Sequence, residues 1–190
     1  RETSGIENTP DPRSEREAVR EWIDQFTDKL SRIPLEQRVV FKLTYLYYLH
    51  LESDEMSYLE ERSHQPVGEI LRKIAQQRDE LSEREMANIA EEDKITALYM
   101  NLIDLRAKRE KLLQNPGNPT LSYELELLDQ AMEKKKKQRD RLLERREKGL
   151  FVVRAPYRFI TALMGIPEGS ISVCMMKVTE QLVQPLEAGI

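Results

Sequence analysis

The stretch ALMGIPEGSISVCMMKVTEQL, residues 162–182, decides how the chain is read. Its two apolar clusters are separated by Gly165, Pro167 and Gly169, residue types that punctuate helices. The spacing predicts a first helix that opens at Pro156, carries Phe159, Ile160, Leu163 and Met164, and stops at Gly165. A second helix, capped by Ser170, carries Ile171, Val173, Cys174, Met175, Val178 and Leu182. Two short helices around a brief Gly-containing turn follow the helix–turn–helix plan.

Working outward, Gly149 is a predicted helix stop. Leu121, Leu125, Leu128, Met132, Leu142 and Leu143 recur at helical spacing before it. NPGNPT (115–120) cannot continue a helix, and Ile89, Ile95, Leu98, Leu102, Leu105 and Leu112 repeat the helical pattern ahead of it. Two helices joined by a tight turn predict an antiparallel coiled-coil hairpin over 83–148. Further upstream, Ile70, Ile74 and Leu81 mark one helix, and Ser53 or Asp54 is suited to cap another through about Glu61. The helix predicted over 35–50 is unusually apolar, from Val39 to Leu49, so it is either largely buried or a sticky face for a partner. Before it, Ser14 and Glu17 have capping-box spacing, and Ala18, Trp22, Phe26 and Leu30 form one apolar face with Val19 and Ile23 alongside. Residues 1–13 are polar and carry two prolines, which reads as a tail or linker.

Composition agrees with an all-α protein. Charged residues make up 34% of 190, aromatics 6%, with seven Gly and nine Pro. That is too few turn formers and aromatics for a β-sandwich or barrel. The single cysteine, Cys174, excludes an internal disulfide framework. No apolar run approaches the roughly 18 residues of a membrane span, and no signal-peptide pattern is visible, so a cytoplasmic protein is expected. The chain opens on Arg1 rather than Met, as a trimmed or partial chain would. His50 and His64 have no ligand spacing, no Gly-rich phosphate loop follows a strand, and the carboxylates sit in ordinary helix-face pairs. No enzyme, metal or cofactor is expected.

The net charge of −4 is unevenly spread. Residues 1–62 hold 9 basic and 14 acidic side chains, whereas 134–148 hold 9 basic and 3 acidic. This basic run reads first as a solvated coiled-coil face; attraction of phosphate through counterion release is the alternative.

Two stretches carry a family resemblance. GIPEG at Gly165–Gly169, followed by Ser170 and Ile171, resembles region four of bacterial RNA polymerase sigma factors, whose motif reads like GIPEGTVKSRLSRARERL. IPLEQRVVFKLTYLYYL (33–49) is similar to the helix that opens that region, through Ile33–Pro34, Arg38, Val40–Phe41 and Leu43. Residues 50–81 resemble a degenerate copy of the helix–turn–helix, with Pro66–Val67–Gly68 near the place of its turn. About 80 residues carry the likeness. It implies a region-four-like helical segment at 14–82, the hairpin at 83–148 and a second helix–turn–helix at 149–190, or else a hairpin inserted within one region-four domain.

The resemblance implies a transcription initiation or regulatory protein that binds the RNA polymerase core and a −35-type promoter element, with an anti-sigma-like protein as a further partner. The expected DNA contacts are Arg72, Lys73 and Arg78 in the first unit, and Ser170, Ser172 and Lys177 in the second. Arg154 and Arg158 are candidates for phosphates. Val39, Phe41, Leu43 and Tyr47 are the expected partner-binding residues, facing the polymerase flap element or packing the core. Where the family carries Lys, Arg, Arg and Arg after the turn, this chain has Ser172, Cys174, Lys177 and Thr179, so one cation remains for base edges and phosphates. That loss opens a rival expectation, a sigma-mimic or coiled-coil adaptor that binds a protein and not DNA. Homodimerisation through the coiled coil is a third.

Overall fold

The computed structural model describes residues 12–114, 117 and 119–184, with side chains from Arg16 onward. The described residues are all-helical, forming α1 (Pro12–Arg32), α2 (Leu35–Thr44), α3 (Ser53–Ser63), α4 (Val67–Leu113), α5 (Leu121–Glu147), α6 (Tyr157–Met164) and α7 (Glu168–Val183). The chain divides into two compact units, one made of residues 1–73 and 155–190, the other of 74–154.

In the first unit α2 is the central element. Val39 through Thr44 are all buried, which no helix achieves by covering one side alone. Helices α3, α6 and α7 all pack against it, which accounts for the burial of its continuous apolar run. The expected helix over 35–50 is therefore shorter. It stops at Thr44, and Tyr45–Tyr48 form turns closed by the Tyr48 and Leu49 N–H groups on the Tyr45 carbonyl. The Thr44 carbonyl instead accepts the Ala155 N–H at 2.8 Å, tying the returning chain to the end of α2.

Several helix starts differ from the expected ones. Helix α1 begins at Pro12, so Ser14 lies inside it and the last two residues of the expected tail are helical; a proline suits a first turn, where its missing N–H goes unused. For α3 the cap is Glu52, in a reciprocal box with Glu55, because the Glu55 carboxylate reaches the Glu52 N–H at 2.7 Å. Pro167 precedes α7, and Ser170 lies in its first turn rather than capping it. The expected separate helices on either side of Ser82 are one helix, α4, since no residue there breaks it. The NPGNPT breaker lies partly outside the described residues.

Helices α6 and α7 are joined by three residues and their axes turn by 104°. Gly165 makes this possible with φ +67°, the left-handed region that side chains with a Cβ resist. Ile160, Leu163 and Met164 of α6 and Ile171, Met175 and Val178 of α7 are buried. The Met164 carbonyl accepts a bond from Arg62 of α3 at 3.2 Å. At the far end of α7 the Lys29 ammonium of α1 donates to the carbonyls of Leu182 (2.9 Å) and Gln184, where a cation complements the helix dipole.

The second unit holds the remainder of α4 from Ile74, together with α5. Ile95, Leu98, Leu142 and Phe151 form a buried cluster with Leu143 against it. Arg109 meets Asp129 at 2.8 Å, and Arg145 and Arg146 meet Glu91 and Glu92 at 3.0 and 3.5 Å. Helix α5 ends at Glu147, and Gly149 adopts φ +67° just beyond it. Asn88 of α4 donates to the Phe151 carbonyl at 2.7 Å. No helix among the described residues is long and apolar enough to cross a membrane.

Candidate functional site

The apolar face of α1 is only partly covered. Leu30 is buried, but Trp22 is 63% exposed, with Val19 and Ile23 about half exposed beside it. Together with α2 and the turns after it, this face forms a groove of about 560 Å³ lined by Trp22, Ile23, Phe26, Phe41, Tyr45 and Tyr48, among others. Its floor is a run of rings: Trp22 stacks on Phe26 at 5.5 Å, Phe26 meets Phe41 at 6.4 Å, and Phe41 meets Tyr45 at 4.9 Å. Of these rings Trp22 and Tyr48 are exposed, Phe26 and Tyr45 half-buried and Phe41 buried; exposed Trp and Tyr are residue types that anchor protein interfaces.

A buried ion network holds α2 against α3 beside this groove. The Glu55 carboxylate is fully buried and accepts bonds from Arg38 Nε at 2.7 Å and Lys42 Nζ at 2.9 Å. Arg38 also reaches Asp54 and the Ser31 carbonyl, and Lys42 reaches the exposed Glu52 at 3.1 Å. Lys42 and Glu52 both line the groove. Each buried charge is thus multiply paired, the condition under which burial is tolerated.

Of the expected partner-binding residues, Phe41 lines the groove. Val39 and Leu43 are fully buried among the helices packed on α2 and offer no surface. Tyr47 is half-buried and packs edge-on to Tyr48 at 5.0 Å. The sequence reading did not pick out Trp22, Phe26, Tyr45 and Tyr48 as site residues. The signal for the first two was present, since an apolar stripe widened by Val19 and Ile23 exceeds what one neighbouring helix covers.

The expected DNA contacts fall in different places. Arg158 on α6 and Ser170, Ser172 and Lys177 on α7 are exposed in the first unit. The exposed side of α7 also carries Val173, Met176 and Glu180, so it is mixed and largely uncharged. Arg72 is exposed, 3.8 Å from Glu69, and Lys73 is held by Gln65 at 2.6 Å and Glu69 at 3.4 Å. Arg78 and Arg154 belong to the second unit.

Cys174 is half-buried, with its Sγ 3.9 Å from the Gln37 carbonyl. Burial pushes its thiol pKa up, Glu36 adds to the rise, and Lys177 opposes it. That is the opposite of an activated nucleophile. Among the described residues no group of three His, Cys, Asp or Glu side chains is placed to hold a metal ion. No protein-family model, curated protein or solved structure matches the chain.

Proposed function

We propose that the chain is a sigma-factor-like transcription protein of the cytoplasm, which docks on the RNA polymerase core through the α1–α2 groove and approaches −35-type promoter DNA with a helix–turn–helix. One observation carries this reading. The two stretches that resemble region four, α2 with IPLEQRVVF and the α6–α7 pair with GIPEG, lie far apart in sequence yet pack directly against each other in one unit. The 104° turn between α6 and α7 and the left-handed Gly165 support treating that pair as a helix–turn–helix. Helices α3 and α4, joined through left-handed His64, are its degenerate counterpart. We read α4 and α5 as an antiparallel hairpin, because the ion-pair partners on α5 fall in number as those on α4 rise, from Glu91–Arg145 to Arg109–Asp129. The test is binding of the full chain to bacterial core polymerase, with and without a −35 promoter fragment. Binding to core and promoter preference in the complex support the reading; no binding to core rejects it.

A second reading has its own observation. With Val173 and Met176 about half exposed and Lys177 the only cation on α7, that helix suits a protein surface better than a base-reading one. An adaptor that binds polymerase or an anti-sigma-like protein without promoter DNA would bind core and show no promoter preference.

A further inference from the structure

The basic run of α5 is sorted by the helix into an outward stripe. At 3.6 residues per turn, Lys134, Lys137 and Arg141 of α5 and Lys148 at its C-cap share one side, opposite Met132 and Leu143. Met132 is buried and Leu143 packs on the buried cluster, whereas all four cations are exposed. Lys134 and Arg141 have no carboxylate within ion-pair distance among the described residues. Lys137 and Lys148 have only exposed partners on their own helix, Glu133 at 3.6 Å and Glu144 at 2.6 Å. Such exposed pairs are worth little and exchange readily for a stronger anion. Arg145 flanks the stripe but is occupied by Glu91 and the Phe151 ring.

We propose that this face of α5 binds the phosphate backbone of double-stranded DNA without regard to sequence. The stripe extends about 21 Å at 1.5 Å per residue, a length along which a DNA duplex presents about twelve phosphates. From Lys134 to Lys148 this side carries no apolar residue, so it lacks both the core of a protein interface and the apolar face of a membrane-surface helix. It also carries no aromatic ring on which the bases of a single strand would stack. A row of cations facing the phosphates on one side of a duplex is what remains, and the choice of DNA over RNA rests on the function proposed above.

The experiment is anisotropy of a short labelled DNA duplex of arbitrary sequence titrated with the full chain over a salt series. Four neutralised phosphates give a slope of log K against log salt of about −3.6. Lys134→Gln with Arg141→Gln, at exposed positions without ion pairs, should leave the circular dichroism melt unchanged. The slope should become shallower by about 1.8, and affinity at about 0.1 M salt should fall more than tenfold. Unchanged slope and affinity in the double variant overturn the proposal. So does tighter binding of duplex RNA, or of phosphatidylserine vesicles, than of duplex DNA. Failure to bind polymerase core would reject the sigma-like reading without moving this slope, so the two failures are distinguishable.

Discussion

Replacing Glu55 with Ala tests the ion network that fixes α2 against α3. The carboxylate accepts from Arg38 at 2.7 Å, Lys42 at 2.9 Å and the Glu52 N–H at 2.7 Å, with no exposure to water. Removing one partner of a buried pair costs about 3–5 kcal/mol. Here Arg38 keeps Asp54 and the Ser31 carbonyl, and Lys42 keeps Glu52, which places the loss near the lower bound of about 3 kcal/mol. Losing the carboxylate that caps the Glu52 N–H adds about 1 kcal/mol. The expected destabilisation is therefore about 4 kcal/mol. Urea unfolding followed by fluorescence reads the right unit, because Trp22 is the only tryptophan and lies on α1. Adding Lys42→Met removes the ammonium left without its buried partner, so the double variant should recover about 1–2 kcal/mol. A loss below about 1 kcal/mol for Glu55→Ala, or a double variant weaker than the single one, would refute the account of the network.

Other outcomes follow from single positions. Gly165→Ala places a Cβ in open space but at φ +67°, so urea titration should show a loss of about 1–2 kcal/mol from backbone strain alone; Gly165→Asn should lose less. Leu142→Ala, within the Ile95, Leu98 and Phe151 cluster, should cost about 2–4 kcal/mol in the transition followed by ellipticity. The Cys174 thiol has a raised pKa in the folded chain, so its contribution to stability is whole below the ordinary thiol range and is lost as pH rises through the folded value. The stability difference between the native chain and Cys174→Ala should accordingly shrink as pH climbs from that range, as urea midpoints at successive pH values would show. Thiol reagents should modify Cys174 more slowly in the folded than in the urea-unfolded chain.

Much of the helical plan was legible because it rests on local chemistry. The apolar run of α2 left burial or a partner-facing surface open, and Val39 through Thr44 are buried; Gly165 and Gly149 announced helix ends at left-handed positions. What local chemistry left hidden was decided by tertiary contacts. Tyr45–Leu49 continue the apolar pattern of α2, yet the chain turns at Thr44, where the carbonyl finds the Ala155 N–H; periodicity alone cannot distinguish an apolar turn from an apolar helix. Ser14 and Ser170 have the right chemistry to cap, but helices begin earlier at Pro12 and after Pro167. A helix marked by Ile70, Ile74 and Leu81 and a separate hairpin from 83 were expected, although nothing between them breaks α4. The groove was hidden for a similar reason: its rings come from α1, α2 and the following turns, and only the folded unit shows that Trp22 and Phe26 lack a covering helix.

Docking of the α1–α2 groove on the polymerase core, as proposed, is read from the affinity of bacterial core polymerase for the native chain and for Trp22→Ala. Trp22 is 63% exposed, so the substitution should leave the urea midpoint nearly unchanged. As an interface anchor its loss should weaken core binding by about 2 kcal/mol or more, beyond tenfold. Native affinity retained by Trp22→Ala, or no measurable binding of the native chain, would contradict the claim.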